Sequence, residues 1–231
     1  MKKLVLLALV GACAKTASSD LLTHGMAADI SAQARGDGTT TVSATLYVGD
    51  PIDLNFVELQ GDDELLASFD SGQEQPMNRF ELLNIVSYST TFQGDAAGTP
   101  FDVDFQRSID DGAPDSSGTL PDPFTLDSTP TSQSRAASLQ ITWDPPSTDL
   151  MRWDASGSCI DPTGAAISSD SGSVTIEAGQ LVKSQGQQIP DSCAVTVTIT
   201  RENLGELDPG YGHGGQVAGQ QVRTAMFTST P

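Results

Sequence analysis

Polar and apolar residues alternate with a period of two over most of this chain. Every second residue is apolar between Val42 and Val48, and again between Phe101 and Phe105. This is the spacing of a β-strand with one buried face. Turn-forming residues separate such segments, as at Gly49-Asp50-Pro51. The pattern predicts roughly six or seven strands in the first half, the strand spacing of an antiparallel sandwich.

The second half repeats this plan. Apolar residues alternate along four further segments: Leu139–Trp143, Met151–Ala155, Val174–Ala178 and Cys193–Ile199. No convincing amphipathic helix interrupts them, because the apolar spacing stays at two rather than 3.6. The prolines of Leu120-Pro-Asp-Pro123 cannot serve a central strand, so this stretch is predicted to join two modules.

Two segments of the second half resemble a known family. Leu139-x-Ile141-x-Trp143-x-x-Pro146 is similar to the second strand of fibronectin type III domains, and the segment Val195–Gly205 resembles their sixth strand and the turn after it. The tyrosine expected near the start of that sixth strand is absent, with Ala194 and Val195 in its place. The resemblance implies immunoglobulin/fibronectin type III-like architecture. We therefore predict an all-β chain with tandem antiparallel sandwiches at residues 28–122 and 123–231; a single larger sandwich is the alternative.

The first thirteen residues follow a different pattern. A basic Met1-Lys2-Lys3 precedes the apolar run Leu4–Val10, and small residues lead to Cys13. The run is too short to cross a bilayer, which needs about 20 apolar residues. The segment resembles a bacterial lipoprotein signal, which implies removal of residues 1–12 and lipidation of Cys13. Simple secretion with cleavage after Ala14 and an uncleaved N-terminus without a targeting role are the alternatives.

This resemblance gives an expected location. A mature chain that starts at Cys13 would be anchored in the lipid bilayer through its acyl groups. Ala14, rather than aspartate, follows the cysteine, and by analogy with enteric lipoproteins this favours the outer membrane. Residues 13–27, rich in Ala, Ser and Thr, are predicted to form the lipidated cysteine and a short tether.

Once Cys13 is lipidated, Cys159 and Cys193 remain as a pair. In an oxidising compartment they are predicted to form a disulfide, with a loop of about 34 residues that contributes roughly 3–4 kcal/mol. Both cysteines fall on the inward parity of their strands, with Trp153 on the row of Cys159, so we expect a bridge between the two sheets. A zinc site is the alternative, but two thiols without a nearby histidine make a poor one.

Acidic residues dominate the charge of the chain. Without Lys2 and Lys3 the mature chain has 9 basic and 30 acidic residues, a net charge of −21. Nucleic acid is excluded as a partner, because phosphate binding needs clustered basic residues. Two acidic turns, Asp62-Asp63 and Asp110-Asp111, are weak candidates for calcium, since they lack the alternating spacing of a calcium loop. No other cofactor is expected.

One glycine-rich loop stands out near the C-terminus. The stretch Gly210-Tyr-Gly212-His-Gly214-Gly215 formally matches GxGxxG, but it lies between two predicted strands rather than before a helix. Tyr211 and His213 are therefore candidates for a binding loop at the end of a sandwich. No catalytic motif is present, and the chain is predicted not to be an enzyme.

The predicted function is non-catalytic. We expect a lipid-anchored envelope or surface protein that binds or scaffolds an unknown envelope protein or extracellular ligand through its sandwiches. A calcium-assisted adhesin or glycan-binding module is the alternative, and a secreted hydrolase is a remote one. The fold alone does not name the ligand.

Overall fold

The computed structural model describes residues 14–53, 55–186 and 188–231, so Cys13 and the predicted signal sequence lie outside the described residues. Strands of the first half are β1 (Ala14–Ala17), β2 (Met26–Ala34), β3 (Thr39–Val48), β4 (Asn55–Glu58), β5 (Glu64–Phe69), β6 (Gln75–Pro76), β7 (Asn78–Leu82), β8 (Ile85–Gln93), β9 (Pro100–Gln106) and β10 (Ala113–Thr119). Strands of the second half are β11 (Thr125–Leu126), β12 (Ser132–Ser134), β13 (Leu139–Asp144), β14 (Leu150–Gly157), β15 (Ile160–Ile167), β16 (Ser173–Ile176), β17 (Cys193–Leu204) and β18 (Gly215–Thr230). Three 3-10 turns cover Ser18–Asp20, Thr23–Gly25 and Pro51–Asp53. None of these described elements is a helix long and apolar enough to cross a bilayer.

The first sandwich packs two sheets around one apolar core. One sheet has the order β10-β9-β5-β6, and the other includes β2, β3, β8 and β7, with β4 and β1 beside β3. Burial alternates along β3, as the period-two pattern predicts. Phe101, Val103 and Phe105 of β9 are buried in the core between the sheets.

The second sandwich has its own core. The sheet β11-β13-β16 packs against the sheet part β12-β18-β17-β14-β15. Trp143 of β13 and Trp153 of β14 are both buried there, one from each sheet. This strand order agrees with an immunoglobulin-like sandwich, in which the second strand and the sixth lie in opposite sheets. The predicted all-β, immunoglobulin-like fold class is confirmed.

Strand β18 belongs to both sandwiches. Its first part, Gly215–Gln221, pairs in parallel with β2, while Ala218–Ser229 pairs with β17. Val217 is accordingly part of the first core and Phe227 part of the second. One continuous sheet therefore connects the two cores, and the last strand contributes to the first sandwich although it follows residue 122 by about 90 positions in sequence.

The tether predicted at residues 13–27 is wrong for its described part. Strand β1 pairs in parallel with β4, from Ala14 opposite Asn55 to Ala17 opposite Glu58. Ser18 and Thr23 are buried, and the Ser18 hydroxyl accepts a hydrogen bond from the Gln60 N–H. Small polar residues resemble a linker in composition, but here their hydroxyls satisfy buried backbone groups. The described residues from Ala14 onward therefore belong to the folded body.

Candidate functional site

The acidic turns proposed as weak calcium candidates surround an arginine instead. Arg107, whose side chain is completely buried, donates from Nε to Asp63 Oδ2 at 3.1 Å and lies 3.4 Å from Asp110 Oδ2 through Nη1. Its Nη2 donates to the carbonyl oxygens of Ser18 and Leu21. The Arg107 guanidinium thus occupies the place of a metal ion and binds the carboxylate and carbonyl oxygens that a calcium ion would need as ligands.

The other two acidic candidates do not join this cluster. Neither Asp62 nor Asp111 forms an ion pair with Arg107, although the Asp111 carbonyl oxygen accepts a hydrogen bond from the Thr23 hydroxyl. In the described ranges of the chain, no group of three or more His, Cys, Asp or Glu side chains could hold a metal ion. The geometry of these turns is explained by Arg107.

The Asp110 carboxyl should titrate at low pH. Its pKa lies below the ordinary value of 3.8, first because the Thr23 N–H donates to Oδ2 at 2.6 Å and also because Arg107 is close. The stability that Asp110 contributes is present above its ordinary pKa and is lost as pH falls through the lowered, folded value. An NMR titration of the Asp110 carboxyl carbon is expected to show this, and a pKa at or above 3.8 would contradict it.

The glycine-rich loop packs closely against the first sandwich. A methyl group at Gly215 would come 1.9 Å from the Ala28 carbonyl oxygen, and one at Gly212 would overlap His24. The loop leads directly into β18 rather than into a helix, so it lacks the helix N-terminus that a GxGxxG phosphate site requires. Its glycines permit close backbone approach.

The two binding-loop candidates have different positions. Tyr211 is a core residue rather than a ligand-contacting one: it is buried and its ring stacks on Phe105 with centroids 6.2 Å apart. Burial raises the pKa of its hydroxyl strongly. The His213 side chain is exposed, and the backbone N–H of His213 donates to the Met26 carbonyl oxygen. The loop therefore offers only the His213 side chain to solvent.

Cys159 and Cys193 form the predicted disulfide, with Cα atoms 5.7 Å apart. The expected bridge between two sheets is wrong, however. Cys159 lies in the turn between β14 and β15, and Cys193 begins β17, the neighbour of β14 in the same sheet. Strand β14 ends at Gly157, so the inward parity counted along it does not extend through the turn to Cys159.

Buried arginine and aromatic side chains define the junction of the two sandwiches. Arg201 donates to the carbonyl oxygens of Asp122 and Pro123 in the connecting stretch, and to that of Pro145. The guanidinium carbons of Arg201 and Arg223 lie 4.9 Å and 5.2 Å from the ring centre of Phe124. These cation–π contacts fix the connection between the modules against β17 and β18.

A cleft of about 340 Å³ opens beside this junction. It is lined by residues that follow β2, by β11 and by β18: Arg35, Thr125, Leu126, Val222, Arg223 and Thr224. Along β18 the parallel pairing with β2 ends at Gln221, and the parallel pairing with β12 begins at Thr228. Among the described strands, none pairs with this edge between Val222 and Phe227.

Backbone groups of alternate residues point to this open edge. Thr228 N–H donates to the Thr131 carbonyl oxygen on that side. The Val222 carbonyl oxygen on the same side accepts from Arg223 Nη1 at 2.8 Å. Since backbone groups alternate along a strand, Thr224 and Met226 also direct their N–H and C=O groups to the edge. Both residues are exposed. An extended segment could add to the sheet there.

The cleft also carries positive charge in a strongly acidic chain. Arg35 and Arg223 form no ion pair with a described carboxylate, in contrast to Arg107 and Arg201. Arg35 donates to the Gln33 side-chain oxygen, and Arg223 donates to Gln221 Oε1 and to backbone carbonyls. Burial lowers the pKa of Arg223, but the guanidinium stays charged at neutral pH. The cleft therefore favours an anionic group.

The sequence contained an unused signal for the buried arginines. Arg107 continues the inward row Phe101, Val103, Phe105, and Arg201 continues the inward row Val195, Val197, Ile199. A charged residue on the buried parity of a strand needs partners inside the fold. For Arg35 and Arg223 no such signal exists, because the gap in pairing beside β18 depends on contacts between distant segments.

Comparisons with known proteins do not identify a family for this chain. No protein-family model and no curated protein matches the chain. The match to the chicken CNTN1 FN1–FN3 domains covers 88% of this chain, with 10% identity and a TM-score of 0.30. This chain spans 64% of the length of those domains, which is less than two thirds. The match to a cytokine receptor complex covers 88% of this chain and 95% of that one, with 14% identity and a TM-score of 0.28. The match to the Yersinia pseudotuberculosis adhesin InvE covers 87% of this chain and 58% of the adhesin chain, with 11% identity and a TM-score of 0.22. Similarities of this size carry no argument about ligand or family.

Proposed function

We propose that this protein is a non-catalytic, lipid-anchored binding protein of the bacterial envelope that takes up an extended segment of a partner polypeptide by strand addition. The edge of β18 between Val222 and Phe227, with which no described strand pairs, is the observation that carries the proposal. Strand addition supplies affinity through main-chain hydrogen bonds and specificity through alternate side chains. The backbone N–H and C=O groups of Thr224 and Met226 would form hydrogen bonds with the added strand.

The chemistry of the cleft narrows the partner. A side chain that projects from the added strand beside Val222 would meet Arg35 and Arg223, which have no described carboxylate partner. A glutamate or aspartate in the bound segment suits them, since guanidinium groups bind carboxylates through two donors. We therefore propose an extended, acidic segment as the ligand, held at the junction of the sandwiches.

Labelled peptides test this binding mode. The probes are fluorescein-labelled octapeptides of alternating valine and threonine with one central glutamate, or with lysine at the same place. Fluorescence anisotropy is expected to show at least about five-fold tighter binding of the glutamate peptide, a difference of about 1 kcal/mol. Arg35→Ala should reduce this preference. Equal affinity for both peptides would contradict the acidic ligand, and no binding at millimolar peptide would contradict strand addition.

A proline substitution tests the edge itself. Met226→Pro removes a backbone donor that points to the open edge, so it is expected to weaken peptide binding at least ten-fold. Met226→Ser changes the same exposed side chain and keeps the donor, so it should bind as the unchanged protein does. Thermal unfolding of both variants establishes that the fold remains. Unchanged binding by a folded Met226→Pro variant would exclude this edge.

Intact mass measurement tests the lipid anchor separately. Protein extracted from native membranes is expected to have a mass that begins at Cys13 and includes acyl chains. Reduction should add two hydrogens, because Cys159 and Cys193 are bonded. A lipid-free mass that begins at Lys15 would mean simple secretion and would overturn the anchor without affecting the peptide-binding proposal.

A further inference from the structure

An apolar patch is exposed on the hairpin formed by β7 and β8. Phe80 and Leu82 are each 58% exposed, Ile85 is 44% exposed, and Leu83 at the turn is 81% exposed. Leu82 pairs with Ile85 and Phe80 with Ser87, so Phe80, Leu82 and Ile85 share one face of the hairpin. Exposed apolar residues are common singly, but a contiguous group on an edge hairpin indicates a binding surface.

The turn of this hairpin presents a leucine in an unfavourable conformation. Leu83 and Asn84 both have positive φ angles, 52° and 67°. Such a two-residue turn favours asparagine or glycine at both positions. Asn84 suits it, whereas Leu83 does not, and its side chain points to solvent instead of a core. A strained apolar residue at an exposed tip is explained better by a contact with another surface than by folding.

Strand β1, the first described element, lies beside this hairpin. Lys15 of β1 donates from Nζ to Glu81 Oε1 at 2.9 Å and lies 3.7 Å from Glu58 Oε2. Arg79 completes the network with both glutamates. Glu81 and Arg79 point to the opposite face from Phe80 and Leu82 because neighbouring strand residues alternate. The polar face of the hairpin therefore contacts β1, whereas its apolar face is not covered by any part of the chain that the structure describes.

The tip and the chain start also lie at the same end of the sandwich. Strand β8 is antiparallel to β3, with Tyr88 opposite Ala44, so β8 begins at the level where β3 ends. Ala14 lies opposite Asn55 in β4, and β4 meets this end of β3 where Phe56 pairs with Tyr47. Ile52, which follows β3 and is 83% exposed, lies there too. Cys13 precedes Ala14 directly.

We propose that this end of the first sandwich rests on the bilayer that holds the acyl chains of Cys13, with the tip of the β7–β8 hairpin in the membrane interface. The inference depends on the proposed lipid anchor. Because Ala14, the first described residue, already pairs in β1, acylation of the neighbouring Cys13 would keep the hairpin within reach of the lipid at high effective concentration. The apolar tip then lies among acyl chains and headgroups. The net charge of −21 in the mature chain opposes association of two copies instead.

An environment-sensitive label tests this contact. The acylated protein is prepared with NBD attached at Leu83→Cys, or as a matched control at Leu150→Cys, an exposed leucine of the second sandwich. Both are bound to vesicles of phosphatidylcholine, a zwitterionic lipid that does not repel the acidic chain. The NBD emission at position 83 is expected to shift to the blue and increase at least two-fold, while that at position 150 stays at its value in solution.

Substitutions at the tip test the same inference without acyl chains. The unacylated Cys13→Ser chain should bind the vesicles weakly, and Leu82→Ser/Leu83→Asn should reduce that binding at least five-fold. Asparagine suits the turn, so the variant is expected to fold. Leu150→Ser/Leu204→Ser, at exposed positions of the second sandwich, should have no effect.

The outcomes separate this inference from the anchor on which it rests. Vesicle flotation of the acylated protein with equal emission at both labelled positions would overturn the hairpin contact and leave the anchor intact. Absence of acyl chains on Cys13 would overturn both. A dimer in sedimentation that Leu82→Ser/Leu83→Asn converts to monomer would assign the patch to a second copy and overturn the membrane contact.

Discussion

Replacing Asp170 with alanine is expected to lower the free energy of unfolding by about 3–5 kcal/mol, because it leaves a buried guanidinium without its counter-charge. The side chains of Asp170 and Arg201 are both completely buried, and Nη2 of Arg201 lies 2.6 Å from Oδ2 of Asp170. Asp170 also accepts hydrogen bonds from Trp143 Nε1 and from the Ser147 N–H. Equilibrium urea unfolding with the disulfide intact measures the loss.

An exposed ion pair in the same sandwich provides the control. Arg152 and Asp154 lie 3.0 Å apart with side chains 48% and 51% exposed. Asp154→Ala should therefore change the stability very little, since exposed pairs contribute little in water. If Asp154→Ala and Asp170→Ala lower the free energy of unfolding equally, burial does not determine how much these ion pairs contribute to stability. Equal effects would also remove our explanation of how Arg201 holds the connecting stretch at Asp122 and Pro123.

Loss of Asp170 should also affect the candidate cleft. Arg201 fixes the connecting stretch through the Asp122 and Pro123 carbonyl oxygens, and it shares the Phe124 ring with Arg223. We expect a displaced Arg201 to change the position of Phe124 and hence of Arg223, which lines the cleft. The stability of the second core and the geometry of the proposed binding edge are thus coupled through one side chain.

Local alternation was sufficient to predict those strands that carry a clear row of large apolar residues. The buried rows of β9, β13 and β17 follow directly from period-two spacing, because each strand exposes one face to a core. The disulfide was likewise predictable from the number of cysteines, and it is present. The sheet that it joins was not predictable, since the turn after Gly157 ends the strand before Cys159.

Contacts between distant segments were beyond local patterns. The open edge of β18 exists because β2 and β12, about 100 residues apart in sequence, pair with its two ends. Tyr211 looked like a loop residue because glycines surround it, yet it packs on Phe105 from the other half of the chain. Composition also suggested a tether at Ala14, where pairing with β4 forms a strand. In each case the partner segment decides the outcome.

Arg107→Met is expected to destabilise the protein by about 3–5 kcal/mol and to release the segment from Ala14 to Gly25. Methionine keeps much of the side-chain volume, so the change removes mainly charge and donors and leaves Asp63 buried without a partner. The carbonyl oxygens of Ser18 and Leu21 also lose the donors that hold them. Hydrogen exchange of residues 14–25 should become faster than in the unchanged protein by a larger factor than exchange of β9, because the substitution releases the segment and leaves β9 in its sheet.

Second substitutions separate the buried charge from the attachment of the segment. Asp63→Asn in the Arg107→Met background should recover part of the lost stability, because the unpaired carboxylate is the larger penalty. It should not restore slow exchange, since the donors to Ser18 and Leu21 remain absent. Arg152→Ala, which removes an exposed cation of the second sandwich, is the control and should leave exchange of the segment unchanged. If Arg107→Met also leaves exchange of the segment slow, pairing of β1 with β4 is enough to hold the segment, and the buried arginine is not needed for it.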